Sequence, residues 1–364
     1  MKTAPTLQTI ADATGFHRMT VSRALRNDPS IPTKTRDKIR EKADELGYRP
    51  NPLVSALMAQ LRTTKPPSFR ATLAWINDHP GVNPWKTAPY MRPYYEGAVD
   101  RASQLGFQLE EIAVPYLESL GPQAHVTQIR RILNARGIPG LVLPLNYRPH
   151  LSKQNWSGFS VAVLGRHKSN IDYPVPGHPR EPIPHSVAED YYYNMRLACL
   201  SLRELGYKRI GWVSNRWFDT STDSLYTAAY DQEQLGAEPA NRIPSFCFAD
   251  RTVLGPTPPA GLDAWFSAHK PDVILGRFGE MNQWIKALKL GQHTPDYAHL
   301  GLADDVKGWS GIDTQMHVLG AAAVDMVVAQ INRNERETPE HPKEVLIRGT
   351  WVTGKTTRGA KEKQ

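Results

Sequence analysis

From residue 71 onward, short apolar runs alternate with stretches of helical period. Expected strands lie at 71–76, 109–114, 141–145, 161–164, 209–214, 245–248, 272–275 and 299–302. Expected helices lie between them, at 94–105, 126–135, 192–205, 225–235, 283–290 and 318–332. Strands separated by amphipathic helices fold as a parallel sheet covered on both faces. One sheet would struggle to hold so many strands, and the proline-rich stretch 173–184 falls near the middle of the run. Two similar lobes are expected. The Leu-Gly pairs at 105–106, 205–206, 235–236 and 290–291 are each expected to close a helix, since glycine tolerates the left-handed terminal conformation. A last strand is expected within 345–356, and the basic tail 355–364 is expected to be disordered.

The chain has 364 residues, 40% of them hydrophobic and 22% charged, enough to bury real cores. It contains no run near the roughly 20 apolar residues of a membrane span, and its start lacks a secretory pattern, so a cytoplasmic, nucleoid-associated protein is expected. Cys199 and Cys247 are too few for a disulfide or zinc framework and read as buried small hydrophobes. The histidines are scattered without metal spacing. No phosphate-cradling glycine loop and no Gly-x-Ser-x-Gly elbow stands out, so neither cofactor, metal nor catalysis is expected.

The first 49 residues have a different grammar. Thr6 is placed to cap a short helix that buries Leu7, Ile10, Ala11 and Thr14, and Gly15 ends it. A second helix, from about Arg18 to Arg26, turns Val21, Ala24 and Leu25 inward and Arg18, Met19, Ser22 and Arg23 outward. A third, capped near Thr33, carries Ile39, Ala43 and Leu46 before Gly47 stops it. Two short helices joined by a glycine turn form a helix-turn-helix, an arrangement that reads DNA. Charge agrees: residues 1–70 hold 13 Lys and Arg against 6 Asp and Glu, while the remainder holds 31 against 30. Nearly the whole excess of +8 sits on this first fifth of the chain, as phosphate binding requires. Residues 50–61 then read as one short helix with Asn51 as N-cap and Pro52 at its first position, too short to stand alone in water.

The run Thr-Leu-x-x-Ile-Ala, Met-Thr-Val-Ser-Arg-Ala-Leu, Thr-Arg-Asp-Lys-Ile and Glu-Leu-Gly-Tyr-Arg-Pro-Asn, from Thr6 to Asn51, closely resembles the lactose-repressor (LacI/GalR) family of bacterial transcription regulators. The resemblance implies an α/β chain: an all-α helix-turn-helix head and hinge helix, then a two-lobed, doubly wound parallel-sheet sensor like periplasmic sugar-binding proteins. It divides the sequence into a DNA-binding domain at 1–49, a hinge and linker at 50–70, and an effector-binding and dimerisation domain at 71–364. The lobes then comprise about 71–187 plus 304–318 and about 188–303 plus 319–356. It places Arg18, Met19 and Ser22 over base edges and Thr6, Thr20 and Arg23 near the backbone; Arg26 stands where the family more often has Asn. Arg18 either pairs with guanine in bidentate fashion or only touches phosphate. In the hinge, Asn51, Leu53, Val54 and Leu57 belong to the DNA contact, with Leu57 at the position that wedges into the minor groove. The alternative for Leu57 is a core residue against the sensor. A homodimer on a palindromic operator, repression as the commoner outcome, and a sugar or sugar-derived effector in the inter-lobe cleft complete what the resemblance implies.

Ligands of such sheets bind beyond the carboxyl ends of the strands. The effector candidates are therefore Asn77, Asp78, Asn146, Trp217, Phe218, Arg277 and Asp304, with Tyr226 at a position where the family carries Arg and Gln315 one residue from the family's glutamine. Trp75 and Trp85 are further aromatic platforms to test. Two rival readings are a cytoplasmic sugar-binding protein without regulatory role and an α/β enzyme acting on a carbohydrate. Neither explains a basic helix-turn-helix head.

Overall fold

The computed structural model describes residues 5–25, 28, 30–48, 69, 71–78, 89–117, 119, 121–144, 149–152, 154, 156–165, 183–249, 255–288, 293–303, 306 and 308–359. Arg26, the hinge expected at 50–61 with Asn51, Leu53, Val54 and Leu57, and the candidates Trp85, Asn146 and Asp304 lie outside these residues.

The head consists of α1 (Leu7–Thr14), α2 (Arg18–Leu25) and α3 (Thr33–Glu45). Thr6 caps α1 reciprocally with Thr9, each side chain serving the other's backbone N–H, and Gly15 turns the chain at φ 73°. His17 Nδ1 accepts the Met19 N–H at 3.3 Å and so satisfies a donor at the start of α2. The α3 cap differs from expectation: Pro32 occupies the N-cap without a side-chain bond, and Thr33 is the first helical residue. Ile10, Ala11, Val21, Ala24, Ile31, Ile39 and Ala43 close a small core. Ala11 and Ala24, lacking bulk, let the helices cross closely.

Among the described residues, the remainder of the chain is built on two six-stranded sheets. The first contains β1 (Ala71–Asn77), β2 (Phe107–Ala113), β3 (Gly140–Leu143), β4 (Ser160–Leu164), β5 (His185–Glu189) and β11 (Glu344–Ile347), in the order β11-β5-β4-β3-β1-β2. The second contains β6 (Ile210–Asn215), β7 (Phe246–Phe248), β8 (Val273–Gly276), β9 (Asp296–Leu300), β10 (Gly311–Asp313) and β12 (Thr350–Val352), in the order β12-β10-β9-β8-β6-β7. All described pairings are parallel except that of β10 with β12. Alternation along each strand feeds two cores: Leu73 and Trp75 of β1 face one cluster while Ala74 and Ile76 face another. On β8, Val273 and Leu275 are separated from Ile274 in the same way.

The helices are α4 (Arg92–Gln104), α5 (Gly121–Ala135), α6 (Pro149–Ser152), α7 (Tyr191–Glu204), α8 (Arg216–Ser221), α9 (Leu225–Leu235), α10 (Leu262–His269), α11 (Met281–Ala287) and α12 (Met316–Arg333). Gly106 and Gly206 end α4 and α7 with positive φ, as expected, but Gly236 ends α9 at φ −77° in the right-handed region. Among the described residues, no helix is long and apolar enough to cross a membrane.

The chain passes between lobes at three places among these residues: after β5, between β10 and α12, and between β11 and β12. The lobe boundaries expected from sequence therefore shift. Strand β5 carries the first lobe to Glu189; β10 belongs to the second; α12 and β11 return to the first; β12 ends in the second. The expected last strand is two strands, because Arg348 and Gly349 carry the chain across. That crossing is fastened by the Gly349 N–H donating to Asn194 Oδ1 at 2.8 Å and by Arg348 lying over Tyr193 at 4.6 Å. The described part of the basic tail, 355–359, departs from expectation, as Thr357 is buried against Ser310 (2.7 Å) and Arg358 stacks on Tyr207, while residues 360–364 lie outside the described residues. Cys199 is buried, but Cys247 is exposed on the edge strand β7.

Candidate functional site

On the head, the outward face of α2 begins with Arg18 and Met19, both exposed, with Met19 at 66% of its full accessibility. Ser22 lies one turn further along the same face and is half-buried, as is Thr20. Val21 and Ala24 of the same helix are buried and Leu25 is half-buried, so Met19 stands apart as the exposed apolar side chain of α2. Arg23 has a defined orientation: its Nε donates to Asp28 Oδ2 at 2.8 Å, and this bond holds the Asp28 carboxyl well below the usual carboxylate range. The Arg23 side chain remains exposed. Thr6, expected near the DNA backbone, is exposed while its hydroxyl serves the α1 cap.

In the sensor, strand order reverses between β1 and β3 in one sheet and between β6 and β8 in the other. Such switch points open a crevice at the carboxyl ends of the strands. Asn77 and Asp78 end β1; the Asn77 amide donates to Glu111 Oε1 at 2.7 Å, and Asp78 is buried. In the second lobe, the turn after β6 starts α8, where the Asn215 side chain caps the Phe218 N–H at 2.7 Å. This cap positions Trp217, which is partly exposed, and Phe218, which is half-buried. Phe218 stacks on Tyr226 with ring centroids 5.7 Å apart, and the Arg277 guanidinium lies 5.3 Å above the Phe218 ring. Gln315 begins α12 at φ 61° and donates through Nε2 to Thr350 Oγ1 at 3.3 Å. Trp75 is no platform: it is buried in the first lobe's core with its ring edge against Tyr95.

Tyr226 and Arg277 converge on a residue that the sequence reading missed. Glu189, the last residue of β5, is buried, and its carboxylate accepts from both lobes. Tyr94 Oη of α4 donates to Oε1 at 3.0 Å, Tyr226 Oη of α9 to Oε2 at 3.1 Å, and Arg277 Nη1 to Oε2 at 2.9 Å. Burial, then the Glu189 charge, raises the Tyr94 and Tyr226 phenols well above their ordinary range, so both remain donors. Burial opposes the charge on Arg277, but Glu189 together with Tyr226, Tyr94 and Tyr191 more than offsets it and the guanidinium stays ionised. Close by on β9, burial and then the Arg277 charge push His299 down to about 3, so the imidazole is neutral. The cluster is a desolvated ion pair spanning the lobes, with every ionised oxygen matched to a donor. Among the described residues no group of three or more metal-ligating side chains occurs.

Comparison with known proteins divides along the same line as the charge. Residues 6–51 match the family described as bacterial regulatory proteins, lacI family. The HTH-type transcriptional regulator GntR of Escherichia coli K12 is 50% identical over 50 residues, which are 14% of this chain and 15% of that protein. Beyond the head, similarity is one of fold. The transcriptional regulator CelR in complex with cellobiose is 16% identical over 97% of this chain and 99% of that one, with a TM-score of 0.55. The lac repressor dimer bound to operator and the anti-inducer ONPF is 18% identical over 98% and 100%, with a TM-score of 0.53. The head is thus similar in sequence to the DNA-binding region of lacI-family regulatory proteins, while the two lobes that follow it share only the fold of such regulators.

Proposed function

We propose that the protein is a transcriptional repressor that binds a palindromic operator as a homodimer in the cytoplasm, on the nucleoid, and releases or grips it according to a small effector between its lobes. The observation that carries this reading is the exposed Arg18-Met19 pair at the start of α2, on the basic fifth of the chain. Arg18 and Met19, with Ser22, are assigned to base edges; Thr6, Thr20, Arg23 and Arg26 to the backbone; Asn51, Leu53, Val54 and Leu57 to a hinge contact in the minor groove. One head spans too few base pairs for a unique site, and a twofold dimer doubles the reading frame. Asn77, Asp78, Asn146, Trp217, Phe218, Tyr226, Arg277, Asp304 and Gln315 are assigned to the effector crevice. The cellobiose complex of a protein with this fold supports a sugar or sugar derivative as the effector class.

Selection of bound fragments from random-sequence DNA tests the reading. Wild-type protein is expected to enrich a palindrome, and Arg18→Ala to relax one base pair in each half-site, at about 1–3 kcal/mol for each guanine that is no longer read. Leu57→Ala should weaken specific binding more than non-specific binding. A protein that enriches no sequence and ignores DNA at about 50 mM salt is not this regulator.

A further inference from the structure

Three donors of different elements point at one carboxylate. Arg277 presents Nη1 at 2.9 Å and Nη2 at 3.5 Å to the two oxygens of Glu189, while Tyr94 and Tyr226 each supply a hydroxyl. Two of the three, Arg277 and Tyr226, belong to the second lobe, whereas Glu189 arrives from the first on β5. The second-lobe donors thus form a carboxylate receptor whose present occupant is a side chain of the other lobe. Gly301 backs the guanidinium closely: a Cβ at that position would sit 2.8 Å from Arg277 Nη2, so the group is held from behind as well as from the front. The Phe218 ring, against both Tyr226 and the guanidinium, supplies an apolar wall at the edge of the receptor.

We propose that Arg277, Tyr226 and Tyr94 form a carboxylate seat which Glu189 fills as a tethered occupant, and that the effector is a carboxylate-bearing polyol of the sugar-acid class that takes Arg277 and Tyr226 from Glu189. This rests on the effector reading given above and narrows its ligand class. Charge balance carries the choice. A neutral sugar that displaced Glu189 would strand a buried guanidinium, and one that left it in place would find its best donors already engaged. An incoming carboxylate replaces like with like, and the freed Glu189 returns to water. Because the exchanged bond joins the lobes, ligand binding would cut an inter-lobe tie and thereby bias the lobe arrangement.

The test uses the full chain with Glu189→Ala, which empties the seat, and sodium acetate as the probe. At about 100 mM, acetate is expected to raise the Tm of E189A by about 2–4 °C over sodium chloride of equal ionic strength, and to leave the wild type unchanged. Arg277→Gln added to E189A should abolish the difference. Equal Tm values in the two salts overturn the proposal. If E189A stays folded only in acetate, that also supports it; if it is insoluble in both salts, Glu189→Gln decides by the same comparison of Tm. DNA binding by the same samples separates the two readings. E189A that binds DNA but ignores acetate sinks the seat alone, whereas acetate rescue in a protein indifferent to DNA sinks the regulator and leaves the seat.

Discussion

At the scale of single residues, the Glu189–Arg277 pair sets the strongest constraints. Arg277→Met leaves a carboxylate buried with only two phenols, and is expected to cost about 3–5 kcal/mol in urea unfolding. Replacing both members, as Glu189→Met with Arg277→Met, removes the uncompensated charge and should cost less than Arg277→Met alone. A double variant as costly as the sum of the singles would mean that the two side chains are not coupled. His299 gives a pH signature of known sign. Its imidazole is pushed down to about 3 in the fold, against about 6.5 in an unfolded chain. Above pH 6.5 both states hold it neutral, and as pH falls towards 3 only the unfolded chain takes up the proton, so stability is lost across that window. The slope from this one group approaches ~1.4 kcal/mol per pH unit. His185, lowered by burial and then by Lys343, adds a contribution of the same sign. Unfolding midpoints at successive pH values below 6.5 should fall less steeply in His299→Gln than in the wild type.

At the scale of elements, the first lobe depends on how closely α4 and α12 cross. A Cβ on Gly320 would lie 1.8 Å from the Tyr94 carbonyl oxygen, and one on Gly97 would lie 2.0 Å from that of His317. Both obstacles are backbone, so neither can swing aside. Gly320→Ala and Gly97→Ala are each expected to destabilise by about 1–3 kcal/mol, and since Tyr94 rides on α4, Gly320→Ala should also disturb its bond to Glu189. Denaturant midpoints check the first effect, and a stability as high as the wild type's in both variants would show that the helices can part without penalty. Elements whose signal is local were readable in the sequence: the head helices announce themselves by cap, glycine and apolar stripe within a few residues. Strand β5 was not. His185-Ser186-Val187-Ala188-Glu189 is buried throughout, yet its polar side chains are satisfied by Lys343 and by tyrosines far away in sequence, so no alternation marks it. Missing β5 hid Glu189, and with it the pairing to β11 that assigns the crossings between lobes. Phe218 and Arg277 were found because strand ends can be read from the apolar pattern, and Tyr226 because it stands where the resembling family carries Arg. Glu189, the partner of Tyr226 and Arg277, lies on the element that the pattern does not reveal.

At the scale of the whole molecule, the charge is divided as sharply as the fold. The head and hinge carry the excess of Lys and Arg, and the sensor, with 31 cationic against 30 anionic side chains, contributes almost none. Electrostatic attraction to DNA should therefore come from the first 70 residues alone, and the proposed dimer would bring two such heads to one duplex. Each phosphate neutralised releases condensed counterions, so affinity falls with salt in proportion to the number of phosphates engaged. For about 6–10 phosphates shared by two heads, binding should weaken roughly 10³–10⁵-fold between about 50 and 200 mM salt. The slope belongs to the head, so substitutions in the lobes, Glu189→Gln included, should shift the affinity through the arrangement of the lobes while leaving the slope in place. Arg23→Ala should act in the opposite sense, reducing the slope by about one phosphate per head, with Asp28 released from its bond as a by-product. Fluorescence anisotropy on a selected operator, repeated across the salt range for the three proteins, reads both quantities at once. A slope that corresponds to the phosphates of a single head would argue against paired heads, and a slope altered by Glu189→Gln would place part of the DNA-binding surface on the sensor.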